Sequence, residues 1–336
     1  MTQKTALITG ITGQDGALLA QYLLSQDYKI IAPTRLNPDK SKLKTLGINQ
    51  HQGIEFIVYE KWSDFDKIII QCLPDEVYHL AAVSHVGESH QNPEVVFDVN
   101  TLWTIQLLKS VEQYSRQSKF FFASSCEIFQ DDLHGLVSEN DQKTPSNPYG
   151  ISKLSAHLMV QYYRDVKGLF ACNGILFNHE SELRAPSFVS KKICREVARI
   201  VKNGGQPLYL GNIAAKKDWG YANDYVQAFQ AMLKQKMAKD YIIASAALHS
   251  VEDMVNCAFD ALDYNITWQG KDLSRKALNQ DGEIVVAIDE KFFRPLDQRF
   301  LKGNSSNAQR DLDFNNLTPF ASWVKSMTLN EYRELI

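Results

Sequence analysis

No apolar run in this chain of 336 residues is long enough to cross a bilayer, since a spanning helix needs about 20 apolar positions in succession. Cysteine is scarce. The five present, Cys72, Cys126, Cys172, Cys194 and Cys257, are odd in number and scattered. That spacing fits neither a disulfide framework nor a metal site. Neither sign of charge dominates: 36 Lys and Arg stand against 39 Asp and Glu, for a net −3. No general attraction to nucleic acid or to an anionic membrane is therefore expected. A local basic patch for a phosphorylated small molecule stays open. Internal repeats, low-complexity tracts and an obvious interdomain linker are also missing. Met1-Thr-Gln-Lys4 leads directly into an apolar stretch with no leader pattern, so a cytoplasmic protein is the expectation.

What is present is an ordinary globular composition, 44% apolar and 22% charged, in a chain long enough for one large or two moderate domains. Short apolar runs at 5–9, 29–33, 54–59, 76–81, 119–124, 169–177 and 241–246 read as strands. Helical periodicity separates most of them, as at 17–24, 100–115 and 152–166. This alternation predicts a parallel sheet covered on both faces. Phe120-Phe-Phe122 reads as core of the fifth strand. From about residue 178 the alternation breaks down. There 187–203 reads as a helix rich in Lys and Arg, with Lys191 on a solvated face, and the tail holds short mixed segments.

Gly10-Ile-Thr-Gly13-Gln-Asp-Gly16 joins the first strand to the first helix. Glycines there permit a tight turn and close backbone approach to a pyrophosphate, which the helix N-terminus then attracts. The plain alternative is a surface turn. At the end of the second strand stands Arg35, with no acidic residue before Asp39. An acid at that place would bind a ribose 2′-OH, whereas Arg pairs with a 2′-phosphate. NADP is favoured over NAD, unless Arg35 is only a solvated loop charge. The fold expectation is α/β: a Rossmann-type doubly wound parallel sheet with a smaller mixed α/β substrate-binding domain. Residues 1–177, with roughly 218–246, are expected in the nucleotide-binding domain. Residues 178–217 and roughly 247–336 are expected in the smaller one.

Tyr149 and Lys153 are spaced i, i+4 after Pro148, so they share a face near a helix start. A neighbouring ammonium stabilises phenolate and lowers a tyrosine pKa. Tyr149 is thus a candidate base for a sugar hydroxyl that loses hydride. Ser125 and Glu127 follow the fifth strand, at the carboxyl edge where open α/β sheets bind ligands. Ser125 is placed to hydrogen-bond the same hydroxyl. Once C4 of a hexose is a ketone its C5 proton is acidic, and Glu127 is a candidate to remove it as the C6 hydroxyl leaves. Hydride returned to C6 would make the net reaction loss of water. The alternative for Glu127 is a carboxylate that offsets a helix dipole.

At these residues the chain resembles the extended short-chain dehydrogenases and, within them, the GDP-mannose 4,6-dehydratase family. The resemblance runs through 6–16, 74–80, 84–87, 170–181, 208–212, 218–220 and 293–295. The stretch Phe170-Ala-Cys-Asn-Gly-Ile-Leu-Phe-Asn-His-Glu-Ser181 separates it from dTDP-glucose dehydratases and UDP-sugar epimerases. It implies a hydro-lyase that makes GDP-4-keto-6-deoxymannose from GDP-mannose with NADP, in nucleotide-sugar metabolism, as a homo-oligomer (dimer or tetramer). It implies Ser125, Glu127, Tyr149 and Lys153 as catalytic residues. The cofactor would be lined by Gly10, Thr12, Gly13, Gln14, Asp15, Gly16, Arg35, Leu80, Ala81, Ala82, Ser84, His179 and Arg184, besides Tyr149 and Lys153. GDP-sugar contacts would fall to Ser84, Asn178, Val189, Lys192, Lys217, Arg294 and Asp297. His85 remains open between cofactor contact and ordinary side chain.

Against the family pattern, Cys126 replaces a Ser, Phe129-Gln130 replaces Tyr-Gly, Leu36 a second Arg, Val95 a Tyr, Lys217 an Arg and Asp297 a Glu. Lys61 stands where an acid near the adenine is usual. Cys126 has two readings: a small buried filler, or an acid that protonates the departing water. The departures also keep open another GDP-sugar, such as a GDP-manno-heptose, or a GDP-sugar epimerase or reductase on the same scaffold. A silent NADP-binding protein is disfavoured by the complete Glu127, Tyr149 and Lys153 set.

Overall fold

Seven parallel strands form the central sheet: β1 (Thr5–Thr9), β2 (Lys29–Thr34), β3 (Ile54–Val58), β4 (Glu76–His79), β5 (Lys119–Ser125), β6 (Ala171–Leu176) and β7 (Tyr241–Ile243), in the order β7-β6-β5-β4-β1-β2-β3. The structure, a computed structural model, describes residues 3–84, 86–129, 135–292 and 300–335. His85, Gln130, Arg294 and Asp297 lie outside the described residues.

The period-2 geometry of a strand explains the run of phenylalanines in β5. Phe121 points to one face and stacks on Phe229 at 4.5 Å, among residues of helices α1 (Gln14–Leu24) and α5 (Ala222–Lys234). Phe120 and Phe122 enter the opposite layer with α2 (Trp103–Tyr114) and α3 (Pro148–Asp165). Helix α4 (Val189–Asn203) belongs to a separate apolar cluster, where Ile193 and Val197 meet Met254, Phe259, Trp323 and Met327.

Several boundaries differ from the sequence reading. Strand β7 stops at Ile243 because the buried Asp218 carboxylate accepts the Ser245 and Ala246 N–H groups and turns the chain out of the sheet. Of 218–246, α5 and β7 join the central sheet layer, while the strand Lys216–Tyr221 pairs with Asn178–Glu180 and Leu248–Ser250 in a three-stranded sheet. Helix α3 starts at Pro148, earlier than 152, because Asn147 caps it and proline is preset for the first turn. Lys191 is not on a solvated face: it is buried, ion-paired with Glu331, and donates to the Glu182 carbonyl at 2.7 Å. Among the described residues, no helix is long and apolar enough to cross a membrane.

Strand order reverses about β1, whose neighbours are β2 and β4. The crevice beyond the carboxyl ends of such strands is where this architecture places ligands.

Candidate active site

The loop after β1 opens the site. Gly10 has φ +74°, and a Cβ there would lie 2.8 Å from the Ala81 nitrogen. A Cβ on Gly16 would lie 2.2 Å from the Gly10 carbonyl oxygen. Both positions therefore need glycine for the turn to close against the start of α1. No side chain caps that helix, so its first N–H groups are directed at the crevice, a geometry suited to a pyrophosphate. The fit to a dinucleotide thus rests on backbone geometry as well as on residue pattern.

The glycine loop is fastened to the strand Asn178–Glu180. His179 bonds the Phe177 carbonyl through Nδ1 at 2.6 Å and Asp15 through Nε2 at 2.9 Å. Both partners accept, so both ring nitrogens donate. Burial works against charge on His179, but the Asp15 carboxylate outweighs it and its pKa is raised. Asp15, despite burial, is held at about 2 by His179. Gln14 adds a bond to the His179 carbonyl at 3.1 Å and accepts from Ser181 at 2.8 Å. The sequence match at 170–181 therefore contains the residues that brace the glycine loop.

A second buried chain of hydrogen bonds runs behind the crevice. Thr9 Oγ1 accepts from the Leu80 and Ala81 N–H groups and so donates to His79 Nδ1 at 2.7 Å. His79 Nε2 then donates to Thr104, which donates to the Asn100 carbonyl. The Asn100 side chain holds both backbone groups of Val83 and donates to Ser152 at 3.0 Å. Ser152 reaches the Tyr149 carbonyl at 2.7 Å. Burial holds His79 neutral, with its pKa lowered to about 3. Sequence reading missed this chain. Its members come from the carboxyl ends of β1 and β4 and from helical turns, and carry no spacing that marks them as partners.

The four candidate catalytic side chains converge from β5 and α3. Ser125, Tyr149 and Lys153 are all buried. Ser125 hydrogen-bonds Tyr149 and also accepts from the Glu127 N–H at 3.2 Å. Glu127 accepts from Asn147 Nδ2 at 2.9 Å. The expected lowering of the tyrosine pKa is not found. Burial pushes the Tyr149 phenol up, more than the Ser125 hydrogen bond draws it down. Lys153 instead donates to the Ala123 carbonyl at 2.9 Å, and burial lowers its pKa to about 7.

One crevice of about 1490 Å³ takes in every described candidate. Gly10 to Gly16, Leu80 to Ala82 and Ser84 line its floor near β1 and β4. Arg35 lies at the end of β2, hydrogen-bonded to Tyr59 and 5.8 Å from the Trp103 ring. Arg184 pairs with Glu180 at 2.9 Å and covers Phe188. Asn178, Val189, Lys192 and Lys217 line the other side. Lys192 donates to the Tyr209 carbonyl at 2.7 Å and lies 4.1 Å from the Phe292 ring. Cys126 reaches the crevice, yet it packs with Ile128, Phe129, Phe177 and Ile242. Burial and then Glu127 push its thiol up. Among the described residues, no group of three or more His, Cys, Asp or Glu is placed to hold a metal.

The family model for GDP-mannose 4,6 dehydratase matches residues 7–327. The chain belongs to the GDP-mannose 4,6-dehydratase family. The GDP-mannose 4,6-dehydratase of Vibrio cholerae serotype O1 is 35% identical over 356 residues, covering 98% of this chain and 92% of that one. The human GDP-mannose 4,6 dehydratase is 36% identical over 341 residues, covering 97% and 90%. Among solved structures, dTDP-glucose 4,6-dehydratase from Bacillus anthracis in complex with NAD aligns with a TM-score of 0.79 at 19% identity, covering 98% of this chain and 97% of that one. That likeness shows the shared fold. Within this GDP-mannose 4,6-dehydratase family member, Asn147 is the site residue the sequence signalled but sequence reading passed over: an Asn before Pro is a helix-start signature.

Proposed function

We propose that this chain converts GDP-mannose to GDP-4-keto-6-deoxymannose, using a bound nicotinamide cofactor that ends each cycle as it began. The observation that carries this reading is the convergence of Ser125, Glu127, Tyr149 and Lys153 on the crevice that also holds the uncapped start of α1. When bound, the dinucleotide supplies the hydride chemistry, taking hydride from C4 and returning it to C6. Tyr149 accepts the C4 hydroxyl proton, with Ser125 holding that oxygen. The rise in the phenol pKa caused by burial must then be offset by charge introduced with the ligands. Glu127 removes the C5 proton, which the C4 ketone has made acidic, and passes it to the departing C6 hydroxyl, which leaves as water; a proton from solvent then returns to C5 as hydride reaches C6. Cys126 is assigned to packing, because its neighbours are apolar and its thiol is pushed up.

NADP is the proposed form of the cofactor. Arg35 supports it, standing where a 2′-phosphate would meet the end of β2. Asn178, Val189, Lys192 and Lys217, with Ser84 between the two ligands, are proposed to hold the GDP-sugar; Arg294 and Asp297 are proposed on sequence resemblance. The domain bounds proposed are 1–177 with part of 218–246 for the cofactor, and 178–217 with 247–336 for the sugar nucleotide. The cluster of Ile193, Val197, Met254 and Trp323 supports that division, whereas Leu183, Ala308, Leu312 and Phe314 pack with the cofactor-side cluster. A homo-oligomer is also proposed. Ile151, Leu158 and Tyr162 of α3 and nearby Leu102 are exposed apolar side chains, the kind of surface a second copy would cover. Light scattering of the purified chain tests it.

The deciding experiment incubates the protein with NADP and GDP-mannose and identifies the product by mass and NMR. Loss of one water, a C4 ketone, solvent deuterium at C5 and no net NADPH are the expected results. Unchanged GDP-mannose sinks this reading. A panel of other GDP-sugars then tests the variant reading that Cys126 and Phe129 motivate.

A further inference from the structure

We propose that Asn147 is a positioning residue for the elimination step, locking the Glu127 carboxylate to the helix that carries Tyr149 and Lys153. This rests on the role given to Glu127 above. The Asn147 side chain is buried and makes two bonds of opposite sense. Its Oδ1 accepts from the Gly150 N–H at 2.8 Å, capping α3. Its Nδ2 donates to Glu127 Oε2 at 2.9 Å. Of the good N-cap residues, only Asn carries its acceptor and its donor on two separate atoms, so that one caps the helix while the other reaches a carboxylate. Ser would keep the cap and lose the reach. Asp would keep the cap and set a second carboxylate against Glu127.

Gly150 supplies an independent observation. A Cβ there would lie 2.3 Å from the Glu127 carbonyl oxygen and 2.9 Å from Pro145 Cβ. The first turn of α3 therefore rests directly on the Glu127 main chain, and only glycine permits that approach. Glu127 is held at its backbone by this contact and at its carboxylate by Asn147. The proton acceptor at C5 and the proton acceptor at the C4 oxygen thus move as one unit. The physical benefit is orientation: a displacement of about 1 Å in a reacting group can cost ~10²-fold in rate.

Two measurements on the full chain test this. The first needs no substrate: thermal unfolding of Asn147→Ser, Glu127→Ala and the double variant. Non-additive Tm shifts are expected, because the pair shares one bond; additive shifts overturn the proposal. The second measures steady-state rates with NADP and GDP-mannose and follows reduced cofactor through a single turnover. Asn147→Ser and Asn147→Asp should both lower kcat by roughly 10- to 100-fold, with little change in KM, while reduced cofactor accumulates because oxidation outruns elimination. Gly150→Ala should show the same accumulation. Wild-type kcat without accumulation in both Asn147 variants overturns the proposal. A wild-type enzyme that leaves GDP-mannose untouched counts against the dehydratase reading instead, and the unfolding cycle still decides the Asn147–Glu127 pair.

Discussion

The Lys153 ammonium stands 5.9 Å from the centre of the Tyr149 ring and gives its hydrogen bond to the Ala123 carbonyl, 2.9 Å away. Burial lowers its pKa to about 7. The unfolded chain holds that proton up to about 10.4. Between these values the unfolded state binds more protons, so the folding cost of burying Lys153 is full below pH 7 and is relieved as pH rises toward 10. Lys153→Met should therefore raise Tm by several degrees at pH 7, gain less at pH 10, and lose dehydratase turnover. Calorimetry at the two pH values checks this.

The two proposed bases act on different bonds, so their loss should stall different steps. Tyr149→Phe should slow C4 oxidation by about 10²–10⁴-fold with no reduced cofactor seen. Glu127→Gln should permit oxidation and block elimination, leaving reduced cofactor and a 4-keto sugar that retains its C6 hydroxyl. Rapid-mixing absorbance and NMR distinguish them. Full turnover by Glu127→Gln would falsify its assignment.

Arg35 should matter for one cofactor and not the other. Losing a charged contact of ~1.5–3 kcal/mol predicts that Arg35→Ala binds NADP about 10- to 100-fold more weakly, with NAD binding little changed. Titration calorimetry with each dinucleotide reads the difference.

Cys126 packs in an apolar cluster with Phe129 and Phe177. Cys126→Ala should keep kcat near wild type and cost about 1 kcal/mol of stability. A large fall in kcat with unchanged Tm would return Cys126 to the role of proton donor.

His79 and His157 are both buried as neutral rings, with pKa values lowered by burial to about 3 and about 4. In the unfolded chain each titrates near 6.5. Their contribution to stability is complete above pH 6.5 and is lost as pH falls toward 4, at up to about 1.4 kcal/mol per pH unit for each ring. Tm should drop across that window, and His157→Asn should show a shallower drop. An unchanged slope would remove His157 from the account.

The seven sheet strands were legible because apolar runs separated by helical periodicity permit few arrangements, and the glycine loop after β1 was legible because only glycine fits its turn. Tyr149 with Lys153 was legible as a helical i, i+4 pair, and the family from the long match at 170–181. The Asn147 cap could have been read from Asn before Pro148, but not its second bond to Glu127, twenty residues earlier.

The sequence by itself determined the alternating strand and helix order, the glycine loop after β1, the candidate catalytic residues and the family, since each rests on local pattern or on direct likeness. Only the tertiary structure decided that Lys153 faces Ala123, that His179 pairs with Asp15, that Lys191 is buried and that Asn147 grips Glu127. Those are contacts between distant segments, and burial sets their charge states. Neither partner choice nor desolvation is written in the spacing of residues along a chain.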